Sequence, residues 1–220
     1  MNVDDIVSIL KKQTNPKNVA GMARFGINPK NTLGISIPFL RNLAKKIGKD
    51  HKLAQQLWKT KIHEACLLAG FIGDHRLITP KLMEKWVKDF DSWDICDQVC
   101  SNLFDKTPYA YQKAKQWAKR KEEYIRRAGF VMMACLSVHD KKAPDKKFLP
   151  FLPLIKMYST DDRNFVKKAV NWALRQIAKK RPGLRKTSIL LAKKLAESRS
   201  PSARWIGKDA LKELVDYRQS

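Results

Sequence analysis

The sequence predicts an all-α fold, a solenoid of stacked antiparallel helix pairs with a concave basic groove, and three observations carry that reading. Apolar residues recur at three- and four-residue spacing along almost the whole chain, which is the period of one helix face. Strand-like alternation with β-branched residues is nearly absent. Helix boundaries are also marked. Thr79-Pro80 before KLMEKWVKDF and Thr107-Pro108 before YAYQKAKQWAKR each offer an N-cap followed by a proline at the first helical position. Ser36-Ile37-Pro38 opens a further helix, with Gly48 as its C-cap.

Taken in order, the amphipathic N-terminus MNVDDIVSILKKQ predicts a helix near 2–13, and the same spacing continues over 16–25. Helices follow at 36–48, between the serine and glycine signals, at 51–59, and at 61–73 over the apolar run KIHEACLLAGFIG. The threonine-proline pairs start helices at 80–90 and 108–120, and SWDICDQVCSNLF forms one at 92–104 between them. EEYIRRAGFVMMACL predicts 122–138, and the remaining helices lie at 145–158, 161–180, 184–197 and 200–217. HDKKAPDKK, at 139–147, is a short exposed loop. The more apolar segments recur roughly every 30 to 40 residues, the period of helical-pair repeats such as HEAT and armadillo. In such a stack the second helices of successive pairs line one surface. A single domain over residues 1–220 is expected.

The chain carries 45 Lys plus Arg, mostly lysine, against 21 Asp plus Glu, a net charge of +24. Solubility does not require so much, and a cationic surface of this size attracts polyanions, nucleic acid first among them. An anionic membrane surface fits poorly because the basic residues are spread along the whole chain rather than gathered on one helix. No apolar run approaches the roughly eighteen residues a membrane span needs, so a soluble, cytoplasmic, nucleoid-associated protein is expected. Cys66, Cys96, Cys100 and Cys135 lie in apolar surroundings and read as reduced, buried thiols. Cys96 and Cys100 stand one turn apart, but no histidine or second cysteine pair completes a metal site, and no cofactor is expected.

The second helices place chemistry-bearing residues on the shared surface: Trp93 and Asp97, then Arg126 and Arg127, then Trp172, Arg175 and Lys179. A lone carboxylate among arginines and lysines stays ionised. Flanked by indole faces, which attract cations, it suits a site where positive charge develops. On nucleic acid that place is the sugar, when an N-glycosidic bond breaks with oxocarbenium character. A base already cationic through alkylation departs as a neutral molecule, so one carboxylate suffices. The bland alternative is core tryptophans beside solvated charge. Phosphate loops, H-E-x-x-H and G-x-S-x-G are absent, and His51, His63, His75 and His139 lack ligand spacing. His63 and Glu64 read as the solvated first turn of their helix.

Four segments in order, MARFGINPKNTLGISIPFLRNLAKK, FDSWDICD, YIRRAGFVM and FVKKAVNWALRQIAKKRP, resemble the AlkD-type DNA alkylation repair glycosylases, the HEAT-like repeat DNA glycosylases. The resemblance runs over nearly the whole chain. It implies a HEAT-like solenoid that excises cationic N3- and N7-alkylpurines from double-stranded DNA with the lesion left stacked, unlike the base extrusion general among glycosylases. It makes Asp97 the catalytic carboxylate, Trp93 and Trp172 aromatic walls around the deoxyribose, and Arg127 a lesion-pocket contact. Arg41, Arg175 and Lys179 would hold the DNA backbone, with Arg126, Arg204 and Lys208 in the same DNA-contacting set, in a monomer. Two positions depart from the pattern: Phe25 stands where a tyrosine is expected, and Ser92 where relatives can carry a second tryptophan. Relatives lacking the Asp and Trp residues supply the rival reading, a non-catalytic binder of bent or branched DNA. A protein-interaction scaffold is the third, and the charge disfavours it.

Overall fold

The computed structural model describes residues 1–216, and the thirteen expected helices all form there. The chain packs as two compact units, Met1–Thr107 and Pro108–Ser220.

The first unit contains α1 (Val3–Lys12), α2 (Pro16–Arg24), α3 (Ile37–Ile47), α4 (His51–Lys59), α5 (His63–Ile72), α6 (Pro80–Val87) and α7 (Trp93–Asn102). Helix α5 is its centre. It packs against α1, α3, α4 and α7, and every one of its ten residues except Phe71 is buried. A helix apolar on all sides has to be surrounded in this way. Trp58 of α4 and Trp86 of α6 stack with ring centroids 4.1 Å apart, and Phe90 and Phe104 close the same cluster. Asn15 caps α2 and Asp50 caps α4. Thr79 caps α6 as expected, its hydroxyl accepting from Leu82 N–H.

Thr107 does not cap the next helix. Its hydroxyl closes a 3-10 turn over Phe104–Lys106 by donating to the Phe104 carbonyl at 2.8 Å, and α8 begins only at Ala110. The second unit runs through α8 (Ala110–Ala118), α9 (Glu123–His139), α10 (Phe151–Tyr158), α11 (Asn164–Lys180), α12 (Pro182–Ala196) and α13 (Pro201–Asp216). The segment expected to be one helix from 145 instead makes a 3-10 turn at Asp145–Lys147 before α10 starts. The loop 139–147 is tied down: Asp140 accepts from the Tyr111 hydroxyl, and Asp145 from the Gly183 N–H.

In this unit the second helices α9, α11 and α13 lie side by side and parallel. The N-terminal half of α9 meets that of α11 through Tyr124 and Phe165, whose rings are 5.8 Å apart. At their other ends, Arg181 reaches back to the α9 carbonyls. Along α11 and α13, Lys167 covers Trp205, Asn171 donates to Asp209 at 2.6 Å, and Arg175 and Lys179 both pair with Glu213. Close packing inside the pairs depends on two glycines. A Cβ at Gly129 would strike the α8 backbone at Ala114 and Ala118, and one at Gly207 would strike α12 at Ala192 and Ala196. Each glycine is the seventh residue of its helix and faces an alanine pair one turn apart, so the same device occurs in two repeats. No helix among the described residues is long and apolar enough to cross a membrane.

Candidate functional site

The loop between α2 and α3 is what positions the first half of the site. Glu64, wholly buried, accepts backbone N–H bonds from Leu33 at 2.9 Å, Gly34 at 2.7 Å and Ile35 at 3.2 Å. His63 is 3% exposed and bonds Asp94 Oδ2 through Nε2 at 2.8 Å. These two residues are therefore not a solvated first turn. The loop folds over them, and its otherwise unpaired N–H groups need the carboxylate. Ser92 is equally buried, its hydroxyl accepting from Asn28 N–H at 2.9 Å, so the position where relatives can carry tryptophan here ties the loop to the start of α7.

Burial of His63 works against its charged form, but the hydrogen bond and charge of Asp94, aided by Glu64 and Asp91, outweigh it and raise the pKa. A raised folded pKa stabilises fully below the unfolded value of about 6.5 and is lost as pH rises through the folded pKa. The stability gap between wild type and His63→Gln, read from urea midpoints, should therefore be widest below about pH 6 and shrink in alkaline buffer. A gap that widens with pH would mean the histidine is buried neutral.

Trp93 starts α7 and is half-buried, with its indole Nε1 donating to the Phe25 carbonyl at 3.0 Å. That bond uses the backbone of Phe25, whose ring is 74% exposed, so losing a tyrosine hydroxyl there leaves the anchor intact. Asp97, also half-buried, lies one turn further and about 40° around the helix from Trp93. Beside Trp93 opens a mostly apolar cavity of about 680 Å³, lined by Met22, Phe25, Ile35, Leu67 and Gln98 among others.

Burial separates the six tryptophans. Trp58, Trp86 and Trp117 are 2%, 1% and 0% exposed and form the core, whereas Trp93 and Trp172 are half-buried and Trp205 is 39% exposed. The two expected wall residues are thus not the core ones.

Most of the expected cations are held by protein partners. Arg41 of α3 lies 5.6 Å over Phe71 and donates to Gln98 Oε1 at 3.3 Å, which links it to the helix carrying Asp97. Arg126 pairs with Asp161 at 2.6 Å and stacks 4.4 Å over Tyr158. Arg127 is 6% exposed and donates to the Phe165 carbonyl at 2.6 Å, which makes it first a tie between α9 and α11. Arg175 and Lys179 share Glu213, so this carboxylate competes with any phosphate for them. Arg204 bonds the carbonyls of Ser198 and Arg199 beyond the end of α12, and Lys208 is exposed on α13. All four cysteines are buried and unbridged, and burial pushes the Cys66 thiol up to about 12. Among the described residues no cluster of three or more potential metal ligands occurs.

A sequence model of the family described as DNA alkylation repair enzyme matches residues 6–214. The chain belongs to that family. A solved structure from "a new family of proteins related to the HEAT-like repeat DNA glycosylases with affinity for branched DNA structures" is similar to it with a TM-score of 0.80 at 18% identity, covering 97% of this chain and 95% of that one. At that identity the likeness establishes the HEAT-like fold. A search of curated proteins finds no match. The match spans both units.

Proposed function

We propose that this family member is a DNA glycosylase that releases cationic N3- and N7-alkylpurines from duplex DNA, with Asp97 stabilising the sugar cation and directing water to it. The observation that carries the reading is the Trp93–Asp97 pair. An indole fixed by its Nε1–Phe25 bond stands half-buried, outside the tryptophan core, one turn from a half-buried carboxylate. An indole face and a carboxylate favour developing positive charge, and neither is needed to grip phosphate. Trp172 of the second unit and Arg127 are assigned to the same excision by family resemblance. The net charge of +24 supports DNA as the partner. The rival is a non-catalytic binder of branched DNA, favoured by the affinity for branched DNA of the structurally similar family.

Trp93→Ala and Trp172→Ala separate the two readings. Each should slow single-turnover excision of N7-methylguanine by about tenfold or more, since a desolvated cation–π contact is lost, while affinity for unmodified duplex changes little. A binder predicts no excision to lose. Loss of helicity in circular dichroism would instead return that tryptophan to a structural role.

A further inference from the structure

Arg41 belongs to a group that the catalytic reading does not use. With Lys45, Lys49, Phe71, Asn102 and Lys106 it lines a shallow depression of about 310 Å³ between the ends of α3, α5 and α7. Four of these six side chains are cationic, and among the described residues no carboxylate lines the depression. Like charges of this density repel one another unless an anion sits between them.

Three of the four cations, Arg41, Lys49 and Lys106, are also held in place. Lys49 donates from Nζ to the Phe71 and Gly73 carbonyls, both at 2.9 Å, at the C-terminal end of α5. Lys106 Nζ donates to the Asn102 carbonyl at 3.0 Å. The Asn102 amide donates to the Gln98 carbonyl at 2.7 Å, and the Gln98 side chain in turn accepts from Arg41. Anchored donors lose less side-chain entropy on meeting a ligand than freely solvated lysines do. Burial, then the charge of Lys106, lowers the pKa of Lys49, and the charge of Asp74 offsets them only in part.

We propose that this depression is a dedicated seat for one backbone phosphate of the DNA, which Arg41, Gln98 and Asn102 register against the helix that carries Asp97. The inference rests on the DNA-binding part of the function proposed above and not on base release. Lys45, Lys49 and Lys106 are the new ligands. Lys45 follows Arg41 by one helical turn, so both present their charges along the same side of α3.

The test is a binding scan with duplex DNA in which single phosphates are replaced in turn by neutral methylphosphonate. Wild type should lose about tenfold in affinity at one position, the worth of a charge-assisted contact. Lys45→Gln/Lys106→Gln should show no further loss at that same position. Lys52→Gln/Lys59→Gln, which removes the same charge from exposed sites on α4, should keep the position-specific loss. Equal sensitivity of all three proteins at every phosphate, or none at any, would overturn the proposal. Because the scan reads affinity alone, a chain that binds in this way without excising a base would retain the seat and lose the glycosylase assignment.

Discussion

Asp97→Asn should fold normally, bind duplex DNA at least as tightly as wild type, and release 7-methylguanine about two to three orders of magnitude more slowly in single turnover. The substitution keeps size and hydrogen-bonding capacity and removes only the charge. Asp97 is half-buried on α7, and at a half-buried position water screens a developing sugar cation less than in bulk. The anion also repels phosphate, so its loss does not weaken binding. If Asp97 is structural, the pattern reverses: the melting temperature falls and excision is untouched.

The largest effect on stability is expected at Arg181. Its guanidinium is 3% exposed and donates to the carbonyls of Leu136, Ser137, Asp140 and Ala143 at 2.6 to 3.2 Å, with its centre 3.9 Å over the Phe148 ring. These carbonyls lie at and beyond the C-terminus of α9, where the helix dipole favours a cation and the last acceptors have no intrahelical donor. Arg181→Met keeps much of the volume but takes the side-chain donor from the Ser137 and Ala143 carbonyls, while Leu136 and Asp140 keep their backbone N–H donors, at a cost of about 3 kcal/mol after the relief of desolvating a charge. Arg181→Lys, with one ammonium in place of a planar fork, should fall between the two. Chemical denaturation midpoints measure the series, and equal midpoints for wild type and Arg181→Met would show that water serves those carbonyls as well.

Most of the fold was legible because its determinants are local. Apolar spacing marked every helix, and Thr79 and Gly48 marked ends that the structure keeps, whereas the caps at Asn15 and Asp50 emerged only from the fold. Where a marker misled, a competing local bond decided the outcome, as at Thr107, whose hydroxyl closes the preceding turn. His63 and Glu64 were misread because a polar first turn is usually wet. Nothing within their own helix indicates that a loop some thirty residues earlier brings three N–H groups to the carboxylate. The same distance in sequence hid Glu213 from Arg175 and Lys179. Trp93 and Asp97 were legible as a pair by helical spacing, but only burial distinguished Trp93 and Trp172 from Trp58, Trp86 and Trp117. The depression around Arg41 had one sequence signal, the four-residue spacing of Arg41, Lys45 and Lys49. Its partners on α7 and just beyond it come from folding.

The central claim is that this chain breaks an N-glycosidic bond, and the most direct measurement is the release of free base from duplex DNA carrying a single N7-methylguanine, with wild-type protein in excess. A glycosylase should yield free 7-methylguanine and an abasic site, formed well above the spontaneous rate and reduced to near that rate by Asp97→Asn. Wild-type protein that binds the duplex, or a four-way junction, with high affinity yet leaves base release at the spontaneous rate would contradict it and leave a DNA-binding member of the family.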